Sequence, residues 1–206
     1  MKTIIVTGTD TGIGKTVFSA GLTQALCGTY WKPVQAGLDE ETDSEAVARL
    51  SGRPVLPEAY RLRLPASPHR AAQAEGRTIE PARLALPQLD GPLVVEAAGG
   101  LMVPLTRRVL YLDVIAGWGA PVLLCCRTTL GTINHTLLSL AALRHAGCRV
   151  AGVVFIGEDM PDSRGVIAEI GAVRDLGCLP PLAEVSGEAL SAAFAQIDMV
   201  AIREAL

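Results

Sequence analysis

Gly8-Thr9-Asp10-Thr11-Gly12-Ile13-Gly14-Lys15-Thr16 stands directly after the apolar run Thr3 to Thr7. It stands directly before a stretch in which Phe18, Leu22, Ala25 and Leu26 recur at helical spacing. A strand, a glycine-rich turn and an amphipathic helix in that order form a phosphate-binding loop, or P-loop. Each residue type has a physical reason to be there. Glycines let the backbone curl so that its N–H groups face an anion, and the helix N-terminus adds partial positive charge. Lys15 reaches terminal phosphates, and the Thr16 hydroxyl can ligate Mg²⁺. The usual spacing is G-x-x-x-x-G-K-[ST]. Five residues separate Gly8 from Gly14, so either the loop is one residue longer or its first turn is made by Thr9.

Working outward, further apolar runs lie at Tyr30 to Val34, Pro92 to Glu96, Pro121 to Cys126 and Val150 to Ile156. Stretches of helical period separate several of them, including one with a stripe at Ile133, Leu137, Leu140 and Ala141. This alternation predicts an α/β fold, a doubly wound, mostly parallel sheet. The runs after Pro92 and Pro121 lack polar alternation, as strands covered on both faces do, and are expected at the centre. The segment from Arg53 to Gln88 carries Pro54, Pro57, Pro65, Pro68, Pro81 and Pro87. It reads as a long insertion with two short helices, near His69 to Ala74 and Ala82 to Leu86, of the kind that often covers a site. No repeat, linker or low-complexity tract divides the 206 residues, so one domain over 1–206 is expected.

Composition narrows the function classes. Half the residues are hydrophobic and 19% are charged, which excludes disorder over most of the chain. A net charge of −3 provides no field for a nucleic-acid backbone. No apolar run approaches the roughly 20 residues that span a bilayer, and the N-terminal run is too short for a signal peptide. A cytoplasmic protein with no nucleic-acid and no membrane partner is expected. Cys27, Cys125, Cys126, Cys148 and Cys178 form no C-x-x-C pair and read as buried, reduced thiols.

Ligands of open α/β sheets gather at the carboxyl ends of the strands. Two charged residues fall there: Lys32, in Tyr30-Trp31-Lys32-Pro33-Val34, and Glu96, closing Pro92-Leu93-Val94-Val95-Glu96. A carboxylate ending a buried strand beside a phosphate loop is positioned to hold Mg²⁺. Asp43 opens a helical stretch, where Asp is also favoured simply as an N-terminal residue.

Five blocks then occur in register: Gly8-Thr9-Asp10-Thr11 with Gly14-Lys15-Thr16, Lys32-Pro33-Val34-Gln35-Ala36-Gly37, Ser67-Pro68-His69, Glu96 with Ala98-Gly99-Gly100, and Gly131 with Ile133-Asn134-His135. Together, over nearly the whole chain, they closely resemble the dethiobiotin synthetase family of P-loop enzymes. The resemblance implies a homodimeric ligase of biotin biosynthesis that takes 7,8-diaminopelargonic acid, CO₂ and ATP to dethiobiotin, ADP and phosphate. The steps it implies run through a carbamate and a carbamic-phosphoric anhydride. Carried over by motif, Lys15 and Lys32 are catalytic. Gly12, Ile13, Gly14, Lys15, Thr16, Val17 and Pro180 bind the nucleotide. Thr11, Lys32, Gly99 and Asn134 contact the substrate, and Thr16, Asp43 and Glu96 hold Mg²⁺. Phosphoryl transfer asks mainly for positioning and charge stabilisation, so neither His69 nor His135 is required as a base.

The chain departs from the family pattern in places. Ala97 replaces a glycine, and Ile156-Gly157-Glu158 lacks the Asn that reads adenine in many members. Asp39 competes with Asp43 for the metal role, and Asn134 can equally be a plain helix cap. Two other functions share this loop. One is a dimeric ATP switch of the partitioning or cell-division type, whose early loop lysine is replaced here by Asp10-Thr11-Gly12. The other is a different amide- or anhydride-forming ATPase.

Overall fold

In a computed structural model, which describes residues 2–206, the chain alternates strands and helices from end to end. Strand β1 (Thr3–Gly8) leads through the glycine-rich loop into α1 (Lys15–Ala25) and then β2 (Thr29–Trp31), β3 (Val34–Ala36) and α2 (Asp43–Ser51). Next come β4 (Val55–Leu56), β5 (Tyr60–Leu62), α3 (Pro68–Ala74), β6 (Leu93–Gly100), α4 (Tyr111–Trp118) and β7 (Val122–Arg127). The last third holds α5 (Thr132–His145), β8 (Val150–Ile156), α6 (Pro161–Gly171), β9 (Asp175–Leu179), α7 (Gly187–Ala193) and α8 (Met199–Ala205).

Seven strands form one parallel sheet in the order β4-β2-β6-β1-β7-β8-β9. The expected central strands are central: β6 and β7 flank β1 and are fully buried along their apolar runs. Successive side chains of a strand point to opposite faces, and here both faces are covered. Ile5, Val95, Leu124 and Phe155 pack on one side with Tyr111 and Ile115 of α4 and Leu140 and Leu143 of α5. Ile4, Val94, Leu123 and Val154 pack on the other with Phe18 and Leu22 of α1, Val47 of α2 and Ile202 of α8. Helices on both faces make the sheet doubly wound. Because all strands run the same way, the loop after β1, Lys32 after β2 and the end of β6 open on one edge.

The structure corrects several local expectations. The run Tyr30 to Val34 is not one strand. It breaks at Lys32-Pro33, since proline has no N–H to continue a ladder, and β3 leaves to pair with β5 in a separate two-stranded parallel sheet. The proline-rich segment is woven in more firmly than a cover. Its helices are α3 and a 3₁₀ turn at Pro81–Leu84, but it also supplies β4 to the edge of the main sheet and β5 to the small one. The buried face of α5 runs through Thr132, Thr136, Leu140 and Leu143, whereas Ala141 is exposed. Two threonines took places that an apolar stripe was expected to fill. Cys27 is exposed and Cys148 half-buried; only Cys125, Cys126 and Cys178 are buried.

Candidate active site

The loop after β1 is six residues, Thr9 to Gly14, because Gly8 stays in the strand, paired with Gly100 and Cys125. A side chain at residue 8 has no room: a Cβ there would stand 2.6 Å from Ile13 Cδ1 and 3.0 Å from Lys15 Cδ. Gly14, the residue before α1, has φ +93°, a left-handed conformation that glycine adopts without a Cβ penalty. Ile13 is turned into the core, 6% exposed, and Val17 packs half-buried against it. Both can therefore offer a nucleotide only backbone.

One cavity of about 260 Å³ gathers Thr11, Gly12, Gly14, Lys15, Thr16, Lys32, Asp43, Glu96 and Gly99. These come from four places in the chain. Lys15 and Thr16 begin α1, Lys32 follows β2, Asp43 is the first residue of α2, and Glu96 lies on β6 beside β1. The position of Asp43 is fixed by a capping box, in which Thr42 Oγ1 accepts from the Glu45 N–H and Glu45 accepts from the Thr42 N–H. Asp39, by contrast, is exposed in the preceding loop. Of the two aspartates, Asp43 lines the cavity and Asp39 does not.

The polar groups form a closed circuit. Thr16 Oγ1 is 2.8 Å from Asp43 Oδ1 and 3.1 Å from Glu96 Oε1. The Lys32 ammonium bridges the same two carboxylates, donating to Asp43 Oδ2 and, at 3.3 Å, to Glu96 Oε1. Lys15 donates to the Asp10 carbonyl at 2.7 Å. Burial disfavours the charge on Lys32, but the Glu96 and Asp43 carboxylates outweigh it and hold its pKa above the ordinary value. Burial likewise pushes the Asp43 carboxyl up, and Lys32 with the Thr16 hydrogen bond pulls it below its ordinary 3.8. Lys15 goes the other way, its pKa lowered chiefly by burial. Two carboxylates and a hydroxyl within hydrogen-bond distance of one another are hard oxygen donors of the kind Mg²⁺ takes beside substrate phosphates.

Tyr30 was missed by the sequence reading. It is fully buried, and its hydroxyl donates to Glu96 Oε2 at 2.9 Å. Desolvation and the neighbouring Glu96 raise its pKa far above 10, so it remains a donor and fixes the carboxylate. Its signal was only positional: β2 pairs with β6 so that Tyr30 stands opposite Val94, two residues before Glu96. Arg127 was also missed; it donates to Asp10 Oδ2 at 2.5 Å and braces the loop, while Asp10 Oδ1 accepts from the Thr11 N–H at 2.7 Å. Ala97 costs nothing in conformation, since it lies in extended β6. The residue there with positive φ is Gly99, at +67°.

Asn134 and Pro180 are not in this cavity. The cap of α5 is Gly131, and Asn134 is its exposed third residue, so the plain-cap reading is corrected. Pro180 follows β9. A second cavity of about 470 Å³ adjoins the first through Thr11 and runs from Thr9 and Asp10 past Gly100 to Pro104, against His135 and Leu138 of α5. At the end of β8, Ile156 leans over the loop, its Cγ2 2.9 Å from where a Gly14 Cβ would be. The Gly157 N–H is already given to the Leu179 carbonyl at 3.0 Å.

Solved structures share this architecture. A ParA family ATPase from Chlorobium tepidum TLS superposes with a TM-score of 0.60 over 99% of this chain and 97% of its own, at 10% identity. The cell division ATPase MinD of Pyrococcus furiosus does so with a TM-score of 0.60 over 99% and 98%, at 18% identity. At such identities the likeness concerns the fold alone. A family model described as an AAA domain matches residues 2–189. Fold, loop and family model together define a P-loop protein of the AAA-domain type. An ATP-dependent dethiobiotin synthetase BioD from Rhodopseudomonas palustris (strain BisA53) is 65% identical over 195 residues, 93% of this chain and 92% of the relative. One from Agrobacterium fabrum (strain C58) is 61% identical over the same shares. The chain belongs to the ATP-dependent dethiobiotin synthetase family, whose members are ligases, and it is an enzyme of that class.

Proposed function

We propose that the chain, acting as one domain, carboxylates 7,8-diaminopelargonic acid with CO₂ and closes the ureido ring at the expense of ATP. The observation that carries this reading is the convergence of Lys15, Lys32, Thr16, Asp43 and Glu96 on one cavity at the carboxyl edge of the sheet. One amine of the diamine adds to CO₂, losing a proton to give a carbamate. A carbamate oxygen attacks the γ-phosphorus and ADP leaves. The second amine then attacks the carbonyl of the mixed anhydride and phosphate departs.

The work of the chain is to position the reactants and stabilise charge. Lys15 exchanges the Asp10 carbonyl for a terminal phosphate oxygen. Lys32, already held as an ammonium by two carboxylates, donates to the γ-phosphate and carbamate oxygens as negative charge builds. Thr16, Asp43 and Glu96 would hold Mg²⁺, which offsets phosphate charge when bound, and Tyr30 keeps Glu96 aimed. Thr11 and Gly99 line the side of the cavity nearest the diamine, with the adjoining apolar cavity beside α5 suited to its alkyl chain. Backbone of Gly12, Ile13, Gly14 and Val17 holds the phosphates, and Pro180 flanks the base.

The substrate carboxylate is taken by the N-terminal turn of α5 around Asn134 from a second copy, since free N–H groups there favour an anion. Exposed Leu138 and Met102 in the lining of that cavity support a homodimer built on this face. The reading places the enzyme in the cytoplasm, without a nucleic-acid or membrane partner; no helix among the described residues is long and apolar enough to cross a membrane. Isotope transfer tests the chemistry: with ¹⁸O-labelled bicarbonate, released phosphate should carry one oxygen from the CO₂. Phosphate free of label would contradict attack by a carbamate.

A further inference from the structure

Away from the P-loop, α3 and the segment 104–110 enclose a cavity of about 350 Å³ lined by His69, Arg77, Thr106, Arg107 and Arg108 among others. An adjoining cavity of about 420 Å³ shares His69, Thr106, Arg107 and Arg108. Neither is lined by a carboxylate. Three arginines therefore line one hollow, and positive charges gathered there favour an anion between them. Arg107 and Arg108 form no ion pair among the described residues.

Arg77 and the backbone that carries Arg107 and Arg108 are also held in place beforehand. Arg77 lies over the Tyr60 ring, 5.4 Å from its centroid, with Glu75 at 3.6 Å. Thr106 Oγ1 accepts from the N–H groups of Arg108 and Val109 at 3.1 and 3.0 Å, and the Thr106 N–H donates to the Val109 carbonyl at 3.1 Å. That turn fixes the backbone from which Arg107 and Arg108 project. The His69 N–H donates to the Pro104 carbonyl at 3.2 Å, joining the two walls, and its Nδ1 is paired with Ser67 Oγ at 3.1 Å. Nε2 is the ring nitrogen left for a ligand.

We propose that this cleft is a second anion-binding site, for a small polyanion of the phosphate class. Forked guanidinium donors match oxyanions bidentately. Three of them exceed what a single carboxylate can engage, whereas a phosphate with two or more negative charges offers oxygens to each. The site shares no residue with the cavity of Lys15, Thr16, Lys32 and Glu96. The segment 100–110 runs from the neighbourhood of the P-loop to this cleft, and Pro104 borders both the cleft and the cavity beside Thr11.

The test is titration calorimetry of the full chain with inorganic pyrophosphate while a saturating non-hydrolysable ATP analogue fills the P-loop. One further site per chain is expected, weakened about tenfold or more in R107A/R108A by loss of two charge-assisted partners. The chain has three histidines, so NMR gives a reading on the unaltered protein. The His69 imidazole signal, assigned with H69Q, should move on titration while that of His145 stays. No binding beyond the analogue, unchanged affinity in R107A/R108A, or a stationary His69 signal while pyrophosphate binds overturns the proposal. Equally tight binding of a tricarboxylate overturns the phosphate class.

Discussion

Lys32 and Lys15 stand in one cavity but in opposite electrostatic situations. Lys32 is charged against its burial by two carboxylates; Lys15 has burial as its dominant influence and a backbone carbonyl as its hydrogen-bond partner. In the proposed mechanism each gives a donor to charge that develops during phosphoryl transfer. Lys15→Ala and Lys32→Ala should each lower kcat by about 10²–10³, the range found for removal of one such donor. Steady-state kinetics of the folded variants checks this, and near-normal turnover in either removes its assigned role. Asp43 yields a pH prediction. Its folded pKa lies below 3.8, so between the folded value and 3.8 the unfolded chain binds more protons and stability rises with pH. The contribution is fully present above that window and lost as pH falls through the folded pKa. Urea unfolding should therefore show the gap between wild type and Asp43→Asn narrowing on acidification; a gap independent of pH contradicts the ion pair. Ile156 leads to a third. It presents only an apolar group beside the P-loop, and the Gly157 N–H is already engaged by Leu179. GTP or CTP should support turnover within about 10- to 100-fold of ATP, and a preference in kcat/KM beyond about a thousandfold would show that other groups read adenine.

At the scale of elements, α2 links local sequence to the site. Thr42 and Glu45 close a capping box, and the next residue after the cap is Asp43. Thr42→Ala should cost about 0.5–2 kcal/mol of stability and raise the Mg²⁺ concentration for half-maximal activity, because the carboxylate loses its fixed start. Thermal unfolding and a Mg²⁺ titration measure the two effects; a stability loss with an unmoved titration would separate the cap from the site. Elements also divide what the sequence made legible from what it did not. The P-loop, Lys32 and Asp43 could be read because each sits where a strand ends or a helix begins, and such ends carry local signals; Glu96 was expected to close its strand, but β6 runs on through it to Gly100. The pairs β2–β4 and β3–β5 could not, since strands of two or three residues are too short to show alternation and Pro33 hid the switch between sheets. The inward face of α5 was misjudged because Thr132 and Thr136 are buried there, Thr132 through a hydrogen bond to the Arg127 carbonyl. Tyr30 and Arg127 were invisible for a different reason: each acts on a residue brought to it by strand register or loop closure.

Across the whole molecule, a parallel sheet covered on both faces brings residues from 11 to 99 to one edge and surrounds them with apolar core. Inside such a site a fixed ammonium or hydroxyl acts more strongly than in water, which suits a reaction that moves phosphoryl charge without a side-chain base. The same architecture serves the ParA and MinD ATPases, so the fold cannot by itself distinguish a ligase from a switch. Family membership decides for a ligase, and the proposed reaction demands simultaneous occupancy of the site. The most direct measurement is ADP release by the purified chain with ATP and Mg²⁺, with 7,8-diaminopelargonic acid and bicarbonate added singly and together. The account predicts ADP formation only when both are present, with dethiobiotin produced mole for mole. Sustained ATP hydrolysis without the diamine, or ADP formed with no ureido product, would contradict it.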